Sequence, residues 1–580
     1  MIRSQKIRPS QFILTLGPGA ILEGKYGPRI ILSPSIGLSS GSDSFNPSLF
    51  EISDQRLSNG LLNDTRIFRL PVEAESVMPY KTNAFPSWSL CTEDWILHKT
   101  KNKCPRCKEW RKGEEIRFIM TCAHGHLDDI DWNYVVHRGN RCSGDSFEWT
   151  GGSALKNVLI KCRTCGKSIN FGSIYNQEWV CSGRFPEREA SPYPERSTCS
   201  KPAKIIQRQA TNLHIAESSS LFTIPKCATN LHKLLMNSSI SSATIAYRPT
   251  NLETLKTMLS NLKNAGKIGA YEYQEILSSP WHEIDEALND IHNQSSKTAP
   301  SYSGLLRQEF KALDAASISG FPPLTHRPST RVLFEVDPNS VIAAHSGGYN
   351  FKITPVKRLN TIIVQRGYRR MDPVVGDFVD IAFTDSVGTK WLPGVEVLGE
   401  GIFISFDEAH SLPDLSKLSS SAKWLSCIDH GEKYPNPLFR SEEKEELDPT
   451  FIWWHTLSHL LIRVLSIDSG YSSASIRERI YLEKNSGVTR GGIILYSVQP
   501  GADGSLGGLI SLVPLFERIL ERAFILAKVC SNDPLCEEQE NIFELGKSHN
   551  GASCYGCTYI SETSCEHRNM WLDRGLLSGK

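Results

Sequence analysis

No run among the 580 residues stays apolar over the ~18–20 positions needed to cross a bilayer. The opening Met1–Pro9 carries basic residues but no apolar core ending in a small-residue cleavage site, as an export signal would. The expectation is a cytoplasmic protein whose 16 cysteines sit in a reducing compartment. Charge of one sign is lacking as well. Against 64 Lys and Arg stand 63 Asp and Glu, a net charge of +1, which excludes a histone-like binder or an acidic tail and leaves room only for local patches. The marks of nucleotide chemistry are also missing. The turn Gly17-Pro-Gly-Ala20 has neither the GK[ST] of a phosphate loop nor a GxGxxG, and Gly501-Ala-Asp-Gly-Ser-Leu-Gly-Gly508 has no accompanying lysine. Both read as structural turns. No paired catalytic carboxylates and no nucleophile elbow appear, so the sequence supplies neither an ATPase nor a recognisable hydrolase.

What is present is length enough for about three to five domains, with 40% hydrophobic residues spread throughout. The fold class expected is mixed α+β and multidomain. Residues 1–95 form an N-terminal segment, with the Ser- and Gly-rich stretch 33–60 as a loop. A zinc-knuckle domain follows over 96–207. Residues 208–330 are mainly helical, because Leu305, Leu306, Phe310 and Leu313 recur at helical spacing. Strands return over 331–440, in Arg331–Val336, Thr361–Val364 and Gly401–Ser405. The last segment, 441–580, opens on a helix with Asp448 as N-cap and Pro449 in its first turn.

Eight cysteines lie between Cys104 and Cys199. The pairs Cys104-Pro-Arg-Cys107 and Cys162-Arg-Thr-Cys165 are knuckles of the kind that set two thiolates at adjacent corners of a Zn²⁺ tetrahedron, each needing a second pair from farther along. After the second knuckle that pair is Cys181 and Cys199. After the first, Cys122 supplies one ligand and either His126 or Cys142 the other. A third group is Cys554-Tyr-Gly-Cys557 with Cys565 and one of Cys530 and Cys536, of which Cys536 is favoured. Three groups imply about three zinc ions per chain. Closed sets rich in sulfur leave no position for a reactive water, so the metal is expected to be structural.

Lys99, Lys101, Lys103, Arg106, Lys108, Arg111 and Lys112 surround the first knuckle, with Trp95 and Trp110 among them, an arrangement suited to phosphates and stacked bases. A second basic concentration holds Lys357, Arg358, Arg366, Arg369 and Arg370. Of these, Lys101, Lys103, Arg106, Lys108, Arg366, Arg369 and Arg370 are the candidate DNA contacts. The stretch Gly125–Trp132 gathers three carboxylates near His124 and His126, which opens a second possibility, a metal-dependent nuclease; salt bridges are the simpler use of those acids. In the apolar helix from Phe451, His455, His459 and Arg463 fall at four-residue steps. A metalloprotease HExxH would need glutamate where Thr456 stands, so this reads as a hydrogen-bonded polar stripe in a core.

The run from His455 through Tyr481, PGADGSLGGL from Pro500, and Ala552–Thr558 ahead of Cys565 resemble the zinc-binding domain of MrfA-type helicases. IRPSQFILTLGPGA from Ile7, CPRC with CAHGHLDDIDW, RQATNLHIAESSSLFTIP from Arg208, and WLPGVEVLGEGIF from Trp391 resemble the DrmB family of the bacterial DISARM anti-phage system. That resemblance implies a zinc-binding accessory subunit, without a motor of its own, that pairs with a SNF2-like helicase of the DrmA type and helps bind DNA.

Overall fold

The computed structural model describes residues 5–38, 45–54, 56–71, 80–109, 113–140, 142–152, 154–190, 194–224, 229–294, 301–322, 329–372, 376–407, 424, 449–468, 472–485, 488–499, 508–538 and 550–579. The turn 501–507, the N-cap Asp448, and Trp110, Arg111 and Lys112 therefore lie outside the described residues. The chain divides into two compact units. The first takes Met1–Phe50, Ile67–Ser219 and Val364–Val395; the second takes Glu51–Arg66, Ser220–Ile363 and Glu396–Lys580. The knuckle segment 96–207 falls wholly in the first, the helical region from 220 onward falls in the second, and 331–440 is divided between them.

In the first unit, alternation of apolar and polar residues builds half-buried strands. Phe147-Glu-Trp-Thr150 buries Phe147 and Trp149 on one face, and Leu159-Ile-Lys-Cys162 buries Ile160 and Cys162 while Leu159 stays exposed on the other. They sit in a six-stranded sheet in the order Ser168–Asn170, Leu159–Cys162, Phe147–Thr150, Ile96–Lys99, Trp88–Cys91, Gly113–Glu115. Two short helices, Trp132–His137 and Phe171–Tyr175, are started by the side chains of Asp131 and Asn170, which accept from backbone N–H groups one turn on. They carry Trp132, Val135, Phe171 and Ile174 into one core with Phe118, Trp149 and Ile160. A second sheet sets Phe118–Cys122 between Leu127–Asp128 and Ala203–Gln207. The apolar run at the N-terminus is the helix Pro9–Leu14, and the turn after it is structural: Gly19, at φ 87°, lies so close to the Tyr368 ring that a Cβ would fall 2.6 Å from it.

In the second unit, five helices between Asn230 and Gln294 close on a core of their own that includes Leu235, Leu255, Leu259, Ile276 and Leu288. The helix Tyr302–Ser319 contains the expected 305–313 periodicity. Of the strands expected at 331–336, 361–364 and 401–405, the first is limited to Phe334–Val336, and the other two are parts of longer strands, Tyr349–Arg369 and Lys390–Phe406, whose portions up to Ile363 and from Glu396 belong to this unit. Val488–Gln499 pairs with Ile476–Asn485 on one side and with Leu398–Ser405 on the other, both antiparallel. The helix Pro449–Asp468 is apolar on nearly every side because it is buried on nearly every side: Ile452, Trp453, Trp454, Leu457, Leu460, Leu461 and Val464 are all wholly enclosed. Gly491 makes this possible in the strand, since a Cβ there would lie 2.3 Å from the Trp454 indole nitrogen.

One charged cluster sits inside this unit. The Arg479 guanidinium donates to both Glu309 oxygens at 3.0 and 2.8 Å, to Glu566 at 2.8 Å and to the Ser220 carbonyl at 3.0 Å, and it lies 4.2 Å from the centre of the Phe222 ring. Burial works against its charge, and the Glu309 and Glu566 carboxylates outweigh that, holding the guanidinium well above its ordinary pKa. Removing one member strands the others without solvent. Arg479→Ala should therefore cost about 3–5 kcal/mol, and Arg479→Lys should not restore it, because an ammonium cannot reproduce the fork of donors. Denaturant unfolding checks both variants; a lysine variant as stable as wild type contradicts this account.

Candidate metal centres

Five groups of Cys, His, Asp and Glu side chains place their ligand atoms within 4.8 Å of one another among the described residues. They are Cys91, Asp94, Cys104 and Cys107; Cys122, His126, Cys181 and Cys199; His137, Cys142, Cys162 and Cys165; Cys530, Cys536, Cys554 and Cys557; and His455, His459, Glu478 and Cys565. The cysteines in these groups are free of disulfides.

Both knuckles are built alike. Lys108 N–H donates to the Cys104 carbonyl at 3.0 Å and Gly166 N–H to that of Cys162 at 2.9 Å, and Lys108 and Gly166 both take the left-handed conformation, at φ 61° and 77°. This turn lifts the second sulfur to the same side as the first. At Cys104 and Cys107 the partners come from the preceding hairpin: Cys91 Sγ is 3.9 Å from Cys107 Sγ, and the Asp94 carboxylate is 3.5 Å from Cys104 Sγ.

The second group is assembled by two antiparallel pairings. Leu127 stands opposite Thr121 across a tight turn in which Gly125 has φ 82°, and the same register brings Cys122 level with His126. Arg184 stands opposite Arg196, and stepping back along that pairing brings Cys181 level with Cys199. The His126 Nδ1 then lies 3.4 Å from Cys122 Sγ and 3.5 Å from Cys181 Sγ, with Cys199 Sγ 4.0 Å from Cys122 Sγ.

In the third group, the Nδ1 of His137 donates to the Asn133 carbonyl at 2.6 Å, which aims Nε2 at Cys165 Sγ, 3.1 Å away, and Cys142 Sγ, 3.2 Å away. The Asn133 side chain fixes Cys142 by donating to its carbonyl at 2.7 Å and accepting from its N–H at 3.2 Å. The fourth group is all sulfur, with contacts of 3.5 Å from Cys530 to Cys554, 3.7 Å from Cys536 to Cys557 and 3.8 Å from Cys554 to Cys557.

These separations fit a metal. With Zn–S bonds of about 2.3 Å the edge of a tetrahedron is about 3.8 Å, whereas a disulfide would close to about 2.0 Å. The sulfur contacts of 3.5–4.0 Å in four of the groups match the tetrahedral edge. Zinc is the metal they are positioned to bind.

The partition differs from the one expected. Cys122 and His126 do not join Cys104 and Cys107, and neither does Cys142; Cys181 and Cys199 do not join Cys162 and Cys165; Cys565 does not join Cys554 and Cys557. Cys530 and Cys536 belong to the same group instead of alternating. For the second group the reason is strand pairing, whose register brings Cys122 level with His126 and Cys181 level with Cys199; His137 arrives instead from a helix end, and Cys530, Cys536, Cys554 and Cys557 from turns. Cys91, Asp94, His137, His455, His459 and Glu478 were not among the expected ligands. Cys91-Thr-Glu-Asp94 has knuckle spacing with a carboxylate in the second place, which is the signal that could have found it.

The carboxylates of 128–131 are fully used by the fold. Asp128 takes Arg184 at 2.7 Å and Arg196 at 2.6 Å, and Asp129 accepts the Ser87 N–H at 2.8 Å and its hydroxyl at 2.6 Å. Asp131 caps the helix after it. Burial pushes the Asp129 carboxyl up to about 6 against the Ser87 hydrogen bonds. These acids border a cleft of about 1190 Å³ that Lys99 and Lys101 also line.

Among the basic candidates, Lys101, Lys103, Arg106 and Lys108 are exposed. The later set is corrected. Arg370 has no exposed surface, and its guanidinium donates to the carbonyls of Gly125, Leu213 and Gly19, each at 2.9 Å, so it cannot reach a phosphate. Arg369 is paired with Glu217 at 2.9 Å, and Arg366 is half-buried with its guanidinium over Phe378.

The two units, with their groups of soft ligands, define a zinc-binding protein without a membrane-crossing helix among the described residues. Residues 457–558 match the MrfA Zn-binding domain, a span that contains the whole of the Cys530, Cys536, Cys554 and Cys557 group. Residues 8–215 match a domain family of unknown function, DUF8724. The chain is similar to the DISARM protein DrmB of Bacillus paralicheniformis, with 29% identity over 522 residues, 82% of each chain. These matches bear out the resemblance carried by the scattered sequence blocks. A crystal structure of the DUF1998 helicase MrfA bound to DNA aligns over 35% of this chain and 22% of that one, at 13% identity and a TM-score of 0.17.

The clamp that joins Cys181 to Cys199 offers a test. Gly183 has φ 68°, and a Cβ there would lie 1.6 Å from the Ser197 carbonyl oxygen, a backbone atom that cannot swing away. Gly183→Ala should destabilise the first unit by more than ~1 kcal/mol and lower bound zinc by one ion per chain. Thermal unfolding with elemental analysis reads both; a variant unchanged in midpoint and in zinc rules the clamp out.

Proposed function

We propose that this chain is a DrmB-type DISARM subunit: a non-catalytic, zinc-stapled protein that associates with a DrmA-type SNF2-like helicase and helps hold DNA during restriction of phage. The similarity to DrmB over 82% of the chain carries this reading. The ligand groups support it, since each supplies four protein ligands and so completes a tetrahedron without a place for a reacting water. The employment of Asp128, Asp129 and Asp131 in ion pairs, hydrogen bonds and a helix cap favours it over the nuclease, whose candidate carboxylates these are.

The DNA-contacting surface within this reading is the exposed lysine and arginine set around the first knuckle. Lys101, Lys103 and Lys108 are exposed, and Arg106 is 54% exposed with only a 3.5 Å contact to Glu148. Such cations meet phosphates, release condensed counterions and give sequence-independent, salt-sensitive binding.

Replacing Lys101, Lys103, Arg106 and Lys108 by alanine together should weaken DNA binding by the subunit–helicase complex, and the log–log salt slope should fall by about one for each true phosphate contact. The purified subunit alone should turn over neither ATP nor labelled DNA. Unchanged affinity and slope in the fourfold variant would move the DNA contacts to the partner, and metal-dependent cleavage by the isolated chain would replace this reading with the nuclease.

A further inference from the structure

The fifth group differs from the other four in its donors and in its setting. His455 and His459 project from successive turns of the helix Pro449–Asp468, Glu478 comes from the strand Ile476–Asn485, and Cys565 from the C-terminal segment. All four are buried, and His455, His459 and Glu478 expose none of their side chains. Glu478 Oε1 lies 2.9 Å from His455 Nε2 and 3.2 Å from His459 Nε2, and Cys565 Sγ lies 3.3 Å from His455 Nε2.

The hydrogen bonds around the group decide which atoms carry protons. The Nδ1 of His455 faces the Trp571 carbonyl at 3.2 Å and that of His459 faces the Thr558 carbonyl at 2.9 Å. A carbonyl only accepts, so both Nδ1 atoms bear hydrogen and, in a neutral ring, both Nε2 atoms present bare lone pairs. Those lone pairs point at a carboxylate oxygen, which is another acceptor. The outer sides of the anionic ligands are already served: the Ser458 hydroxyl donates to Glu478 Oε2, and the N–H groups of His567 and Asn569 each donate to Cys565 Sγ at 3.3 Å. Three acceptors, the two Nε2 lone pairs and the Glu478 oxygen, thus face one another beside the Cys565 sulfur, with no side-chain surface of His455, His459 or Glu478 exposed.

A cation at their centre satisfies all of them at once. Protons on both imidazoles would balance the Glu478 carboxylate and a Cys565 thiolate only as four separate buried ions, each without solvent. A dication bound by the Glu478 carboxylate, a Cys565 thiolate and two neutral imidazoles is electrically neutral as a whole. We propose that His455, His459, Glu478 and Cys565 bind a divalent transition-metal ion, Zn²⁺ by the mixture of imidazole, carboxylate and thiolate donors, as a site additional to the four cysteine-rich ones. The carbonyls of Trp571 and Thr558 are its supporting shell, each fixing one ring. The site ties the helix and strand of the buried core to the C-terminal segment. Thr456, at the place a metalloprotease glutamate would occupy, donates its hydroxyl to the Ile452 carbonyl at 2.7 Å, so the metal has a full ligand set and no general base beside it.

The test is the metal content of the full-length chain, independent of any DNA binding. Elemental analysis of wild type should find one more ion per chain than Cys565→Ala and than Glu478→Gln, the second of which keeps the shape and removes the negative charge. Folded variants that both retain the wild-type count overturn the proposal. If neither variant folds, anomalous difference maps at the zinc edge from wild-type crystals decide it. A peak between His455 Nε2 and Cys565 Sγ is the expected result; no peak there, with peaks at the cysteine-rich groups, overturns it.

Discussion

Three irregular loops of the first unit meet at a single side chain, the wholly buried guanidinium of Arg370. It donates to Gly19 in the turn after the N-terminal helix, to Gly125 between Cys122 and His126, and to Leu213 in the turn after Ala203–Gln207. Backbone carbonyls in loops have no strand partners, and enclosing them without donors would cost on the order of 1–3 kcal/mol each. One planar cation meets three of them at once through three different nitrogens, a spread that the single nitrogen of a lysine does not offer. Its charge is answered by Glu187, 3.7 Å away, which also accepts the Tyr368 hydroxyl. Tyr368 in turn lies against the His214 ring, and burial first, with the Arg370 charge second, pushes that imidazole down to about 3, so it stays neutral. Removing the cation would undo the turn on which Cys122 and His126 depend. A basic residue in a basic stretch of sequence is here a bracket for the metal site and not a hand held out to nucleic acid.

Local spacing was a good guide to half of three of the groups and a poor one to the rest. The knuckles Cys104–Cys107, Cys162–Cys165 and Cys554–Cys557 were legible because a two-residue spacing is itself a geometry. The closing ligands were not, because strand register, a helix end and separate turns bring them in. Cys181 and Cys199 looked like the natural continuation of Cys162–Cys165, yet the pairing of Arg184 with Arg196 aims them at Cys122 and His126. Their place was taken by His137, at the end of a short helix, and Cys142, held by Asn133. Asp94 and Glu478 were unreadable for a further reason. An acid is common everywhere in a sequence, and only the convergence of three other ligands marks it.

The fold itself followed the sequence most closely where burial is greatest. The helix from Pro449 was legible because an apolar surface on all sides has one explanation in a chain without membrane-length runs, and the strand at 401–405 because its apolar run follows a glycine. The polar residues on that helix were read as a hydrogen-bonded stripe. The reading is accurate for their Nδ1 atoms and Arg463, which donates to the Tyr559 carbonyl at 3.2 Å, but incomplete for the Nε2 atoms, whose partners arrive from a strand and from the C-terminal segment. Periodicity places a side chain on a face; it does not say what approaches that face.

The ligand groups also differ in how they meet solvent, and that orders their contributions to the fold. Cys165 is exposed and Cys107, Cys142, Cys199 and Cys554 are partly so, which places part of each of these four groups in turns at the surface. Turns of that kind bury little apolar surface of their own against the entropy of ordering them, about 1–2 kcal/mol per residue for the backbone alone. For them metal binding and folding are one event. The group of His455, His459, Glu478 and Cys565 lies instead against a large apolar core that contains Trp453, Trp454, Leu457 and Leu461. There the core supplies the stability and the polar centre supplies direction: four ligand atoms must converge on one point, which admits one rotation of the helix and one register of the strand Ile476–Asn485. The same chemistry thus acts as a staple where the chain has little core and as an alignment key where it has much.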